Sequence, residues 1–123
     1  MSRGAVVAAA WVALGAGCGV EPRTPLPCDV QQVLSDNCWL CHGDELMFGA
    51  FVHLRTWEDV QGASLDMPGR RVWEVMGIRI NSEDEPMPPR GVGELSAQDR
   101  AVLDAWIAME APPAPPGESC TIP

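Results

Sequence analysis

The sequence predicts a small all-α domain, and three observations carry that expectation. Several stretches set apolar residues at i, i+3 and i+4 behind a residue able to cap a helix. Proline clusters and a Pro68-Gly69 pair punctuate the chain between those stretches. At its centre stands Cys38-Trp39-Leu40-Cys41-His42, two thiols three positions apart with an imidazole beside the second, a spacing that one helical turn converts into a single reactive edge. A length of 123 residues suffices for one domain with one modest core.

In chain order, Met1-Ser2-Arg3-Gly4 leads into an uncharged run from Ala5 to Ala16. Behind a single Arg, this run reads as a secretory signal and is too short to span a bilayer permanently. Its end, Leu14-Gly15-Ala16-Gly17-Cys18, resembles the lipobox of bacterial lipoproteins, although Leu14 stands four positions before the Cys rather than three. That resemblance implies that residues 1–17 are removed and that Cys18 becomes the first mature residue and carries a lipid. The competing reading is an ordinary signal peptide cleaved near Gly17. Both readings expect an exported protein. Residues 18–27 contain Pro22, Pro25 and Pro27 and read as a tether; nine extended residues at ~3.1 Å each reach about 28 Å.

A domain is expected over residues 28–111. Asp29 and Gln32 have the spacing of an N-cap and its reciprocal partner, and Val30, Val33 and Leu34 form one apolar stripe. The predicted helix runs into Cys38, and Gly43 allows a sharp exit after His42. Leu46 to Leu54 is apolar and reads as a loop or short extended segment. Thr56 and Asp59 have capping-box spacing for a short helix that stops near Gly62. Arg70 to Met76 reads as a further helix with Val72, Val75 and Met76 on one side. Asn81 to Arg90 holds three prolines in four positions around Met87 and is a loop. Ser96 and Asp99 open the last helix, with Val102, Leu103, Trp106 and Ile107 on its apolar face and Pro112-Pro113 at its end. Residues 112–123 form a Pro-rich tail.

The chemistry lies in the central pentapeptide. In an exported chain, C-x-x-C-H reads as a covalent haem c site: Cys38 and Cys41 add across the vinyl groups as thioethers, and His42 ligates the iron. C-x-x-C also serves thiol redox pairs and zinc sites, so a Cys38/Cys41/His42/His53 zinc or redox module is the haem-free alternative. Adjacent Cys41 and His42 fit one tetrahedron poorly, and that alternative leaves the Met87 loop without a purpose. With a haem, Met87 on its proline-stiffened backbone is the candidate second axial ligand, and His53 is its competitor. Arg70, Arg71 and Arg90 are candidate partners for the haem propionates, since a guanidinium fork suits carboxylates; a solvated surface role competes for each. Five cysteines are an odd number. With Cys18 assigned to lipid and Cys38 and Cys41 to haem, Cys28 and Cys120 are left to form a disulfide in an oxidising compartment.

The capped first helix, Cys38-Trp-Leu-Cys-His42-Gly43, the Met87-Pro-Pro loop and the Leu95-Ser96…Trp106-Ile107 helix together resemble a class I cytochrome c domain, of the type with "MPP" found in exported proteins of environmental bacteria. The resemblance spans about Cys28 to Met109. It implies a small helical domain wrapped around one covalently bound haem, with the first and last helices crossing and Trp106 near Leu34. It also implies thioethers at Cys38 and Cys41, and His42 and Met87 as the axial pair.

Charge constrains the partners. All eight basic residues are Arg, against 17 acidic residues, for a formal net charge of −9. That field disfavours nucleic acid and favours a basic redox partner, with Glu83-Asp84-Glu85 beside the Met87 loop; general solubility of an exported protein is the competing explanation. Three functions follow: a periplasm-facing electron carrier that is not itself an enzyme, a ligand-binding or enzyme-subunit haem domain with an open iron position, and the haem-free module. The first is the expectation, because no distal acid–base cluster stands out.

Overall fold

The computed structural model describes residues 17–19 and 23–121. The expected signal segment lies outside these residues except for Gly17. The described chain is all-α: α1 (Cys28–Asn37), α2 (Trp39–His42), α3 (Trp57–Gln61), α4 (Val72–Ile80) and α5 (Ala97–Ala108). Among the described residues there is no strand, only isolated bridges pairing His42 with Leu46 and Ala63 with Arg71. No helix among them is long and apolar enough to cross a membrane.

Two helices start differently from expectation. Asp29 is not the N-cap of α1; Pro27 precedes the helix without a side-chain cap, and Asp29 sits in the first turn, where its carboxylate accepts from Val30 N at 2.8 Å. A carboxylate there still stabilises the positive end of the helix dipole. Helix α4 begins at Val72 rather than Arg70 because Arg71 is extended, and the Glu74 carboxylate accepts from Arg71 N at 2.7 Å. It continues to Ile80, past the expected end at Met76. The other signals act as read. Thr56 and Asp59 form the reciprocal capping box of α3, and Ser96 Oγ accepts from Asp99 N at 3.0 Å to open α5.

Helix α5 ends at Ala108, before Pro112, because Glu110 and Ala111 turn into the left-handed region at φ 64° and 51°. That turn folds the following prolines back over the helix, and Trp106 Nε1 donates to Pro112 O at 2.8 Å. Helix α1 packs on α5, α5 on α4, and α4 on α3. Gly77 permits close approach of α4 and α5, since a Cβ there would lie 3.2 Å from Ile107 Cγ2. Leu34 and Trp106 share the core with Val30, Val33, Val60, Val72, Ile80, Leu95 and Leu103.

The packed unit extends beyond residues 28–111. Leu26, in the stretch expected as a tether, is fully buried. Thr24 N donates to both carboxylate oxygens of Glu58 at 3.1 Å, which holds that carboxyl below its ordinary value. In the tail, Ala114 N donates to Pro25 O at 3.0 Å. Cys28 and Cys120 are joined by a disulfide with a Cα–Cα distance of 5.2 Å. Closing a loop of 92 residues is worth ~4–5 kcal/mol of lost unfolded-state entropy, so the tail belongs to the folded unit.

Candidate cofactor site

The motif occupies a corner between two helices. Cys38 breaks from α1 at φ −123° and becomes the first residue of the next turn, with His42 N donating to its carbonyl at 2.9 Å. Cys41 lies three residues on in the single turn of α2, and both thiols are half-buried and free. Gly43 is required by close contact rather than by a positive φ: a Cβ would sit 2.4 Å from Trp39 O.

The strap from Gly43 to Leu54 is laced back onto this motif. Met47 N donates to Cys41 O at 3.1 Å, Leu54 N to His42 O at 2.9 Å, and Trp39 Nε1 to Leu54 O at 2.8 Å. The Arg55 guanidinium lies 3.7 Å over the Trp39 ring and pairs with Asp44 at 3.2 Å. A carbonyl can only accept, so the 2.8 Å contact between His42 Nδ1 and Val52 O places the hydrogen on Nδ1. Neutral His42 then carries its free lone pair on Nε2, the orientation seen when a backbone carbonyl fixes a metal-binding imidazole. His53 is tied similarly, with Nδ1 donating to Gly43 O at 2.7 Å.

A cavity of about 930 Å³ opens beside the motif, near the upper end of the ~300–1,000 Å³ of cofactor and ligand pockets. Cys38, Cys41 and His42 line it on one side; Met87, Pro88 and Pro89 line it from the loop after α4. Its wall includes core residues Leu54, Val72, Val75, Ile80 and Leu103. Apolar side chains that a water-filled globule would bury stand exposed around it: Phe48 80%, Leu65 78%, Leu40 65%, Val92 61% and Phe51 55%. The lining thus combines two thiols, two imidazoles and the Met87 thioether with a mostly apolar wall, a donor set able to hold a large apolar group.

Arg70, Arg71 and Arg90 are not among the cavity-lining residues; Arg70 pairs with Glu74, Arg71 caps the Gln61 carbonyl, and Arg90 donates to Glu83 O. The cation in the wall is Arg79, which sequence reading overlooked. A usable signal existed, since Arg79 follows Val72 and Val75 at i+7 and i+4 on the helix and therefore shares their face. His53 does contribute to the wall, but it is exposed. Cys18 is an exposed free thiol, and nothing in the described residues gathers around it.

Burial, then the neighbouring Cys41, pushes the Cys38 thiol up to about 12. Reactive redox thiols are instead lowered towards the thiolate. Among the described residues, the one trio of donor atoms close enough to hold an ion is Cys28, Glu118 and Cys120, and both of its sulfurs are spent in the disulfide. Cys38, Cys41, His42 and His53 form no such group.

No family model matches the chain, and comparison with curated proteins and with solved structures found no match.

Proposed function

We propose that the chain is a single-haem c-type cytochrome of the class I kind, which carries electrons on the periplasmic side of a bacterial membrane. The observation that carries this reading is the convergence of Cys38, Cys41, His42 and Met87 on one apolar cavity from segments more than forty residues apart in sequence. In this reading the two thiols anchor the haem edge through thioethers. His42 presents Nε2 while Val52 O holds its other nitrogen, and Met87 offers a thioether from the opposite segment. A bound haem would supply reversible one-electron chemistry. A sulfur ligand on its iron would favour the reduced state and a higher potential.

The thiol-redox reading has less support because the Cys38 thiol is raised, and the zinc reading because the four donors do not cluster. Export, lipid at Cys18 and a membrane-anchored location rest on the N-terminal sequence alone. A basic redox partner is supported by the −9 formal charge and by exposed Glu83, Asp84 and Glu85 on the same loop as Met87. A carrier has both axial positions filled, whereas a ligand-binding or catalytic haem leaves one open. Reduced holoprotein is therefore expected to show no spectral change under carbon monoxide at neutral pH; prompt formation of a carbonyl complex would move the assignment to the ligand-binding class.

A further inference from the structure

We infer that Arg79 is the positioning residue for Met87: it is the anchor through which the Met87 loop is held against the cavity. The inference rests on the cytochrome reading and adds to it a residue outside the motif.

The loop of residues 82–93 follows α4 and contains no helix. Several of its hydrogen bonds are internal. Glu85 N donates to Ser82 Oγ at 3.0 Å, Val92 N to Pro89 O at 3.0 Å, and Arg90 to Glu83 O. Among the described residues, every hydrogen bond or ion pair that leaves this loop runs to Arg79. Its carbonyl accepts from Ser82 N at 3.2 Å and from Met87 N at 3.1 Å, and its guanidinium pairs with Glu85. The second arm of the guanidinium holds Asp66, with Nε donating at 3.2 Å and Nη2 at 2.5 Å. Asp66 lies in the α3–α4 connection and also lines the cavity.

Arg79 thus ties three things together at one wall of the cavity: its own helix, the α3–α4 connection and the Met87 loop. A planar fork with donors on two edges can hold two carboxylates at once, which a single ammonium does with less geometric control. The Arg79 side chain is only 16% exposed, while those of its partners Asp66 and Glu85 are 33% and 72% exposed. The cation is therefore the fixed member, and the two loops are fastened to it. Both carboxylates hold Arg79 above its ordinary basicity, Asp66 first and Glu85 second. Proline braces at Pro86, Pro88 and Pro89 stiffen the loop internally but do not attach it to the domain. Attachment is the function assigned to Arg79.

The test compares unmodified holoprotein with Arg79→Gln, Arg79→Lys, Glu85→Gln and Asp66→Asn. Three readouts are followed: the long-wavelength charge-transfer band of a methionine–ferric iron bond, the affinity of the ferric protein for added imidazole, and amide exchange over residues 82–93. Arg79→Gln is expected to weaken the band, tighten imidazole binding roughly fivefold to tenfold, and speed exchange in the loop, because the ligand loop detaches more often. Arg79→Lys should restore part of each. Glu85→Gln, a substitution at an exposed side chain, should loosen the loop with less effect elsewhere, so the inference stays testable if Arg79→Gln folds poorly. A lowered melting temperature with band, imidazole affinity and loop exchange unchanged in both variants would reduce Arg79 to a structural residue and overturn the inference. Absence of the band in the unmodified protein would instead overturn methionine ligation, and so the inference with it.

Discussion

Holoprotein in which Cys38 and Cys41 are both replaced by alanine is expected not to form, and the chain is expected to lose cooperative melting and most of its helical circular dichroism. The cavity beside the motif is walled by Leu54, Val72, Val75, Ile80 and Leu103, which belong to the buried set. Apolar side chains around it, Phe48, Leu65, Leu40 and Val92 among them, stay in water unless a group covers them. Small domains that bind their group only when folded draw folding free energy from it in this way. The Cys28–Cys120 disulfide, whose residues do not line the cavity, opposes the loss. A double variant with native-like helical signal and a cooperative transition would show that the core stands without the group.

Methionine at position 87 is expected to control the sixth position of the iron, and histidine 53 is expected not to. Met87→Ala should abolish the methionine charge-transfer band, lower the reduction potential and admit carbon monoxide to the reduced protein; His53→Ala should leave all three unchanged. Both residues line the cavity, so proximity alone does not separate them. Their surroundings do. Both are exposed, and His53 keeps Nε2 free just as His42 does, but His53 lies on the strap that also carries the bond to His42. Met87 enters from a different segment, braced by prolines and fixed through its own amide to Arg79 O. Loss of a thioether favours the oxidised iron, which sets the sign of the potential change. The opposite pattern in the two variants would transfer the assignment to His53.

Much of this architecture was legible in the sequence because its signals are local. Thr56 with Asp59, and Ser96 with Asp99, are caps complete within four residues, and Val30, Val33 and Leu34 face inward as their spacing requires. The pairing of Cys28 with Cys120 followed from counting, since every other cysteine had a use. What sequence missed depends on tertiary placement. Asp29 lost the cap position because the chain entering from buried Leu26 starts the helix two residues earlier. Arg79 was overlooked because its role needs Asp66 and Glu85, which lie on two loops that no periodicity relates. Conversely, Arg70, Arg71 and Arg90 drew attention by charge alone, and each is occupied locally. The course of the strap is set by bonds through Gly43, Val52 and Leu54, which no periodicity in Leu46 to Leu54 announces.

The central claim is that Cys38 and Cys41 bind a haem covalently. The most direct measurement is the absorption spectrum of purified protein produced with c-type maturation machinery, taken before and after extraction with acidified organic solvent. The expected result is a low-spin, six-coordinate haem spectrum and a haem that stays with the polypeptide through extraction, located by mass spectrometry on the Cys38–Cys41 peptide. A colourless protein, or a haem that leaves entirely into the organic phase, would contradict it.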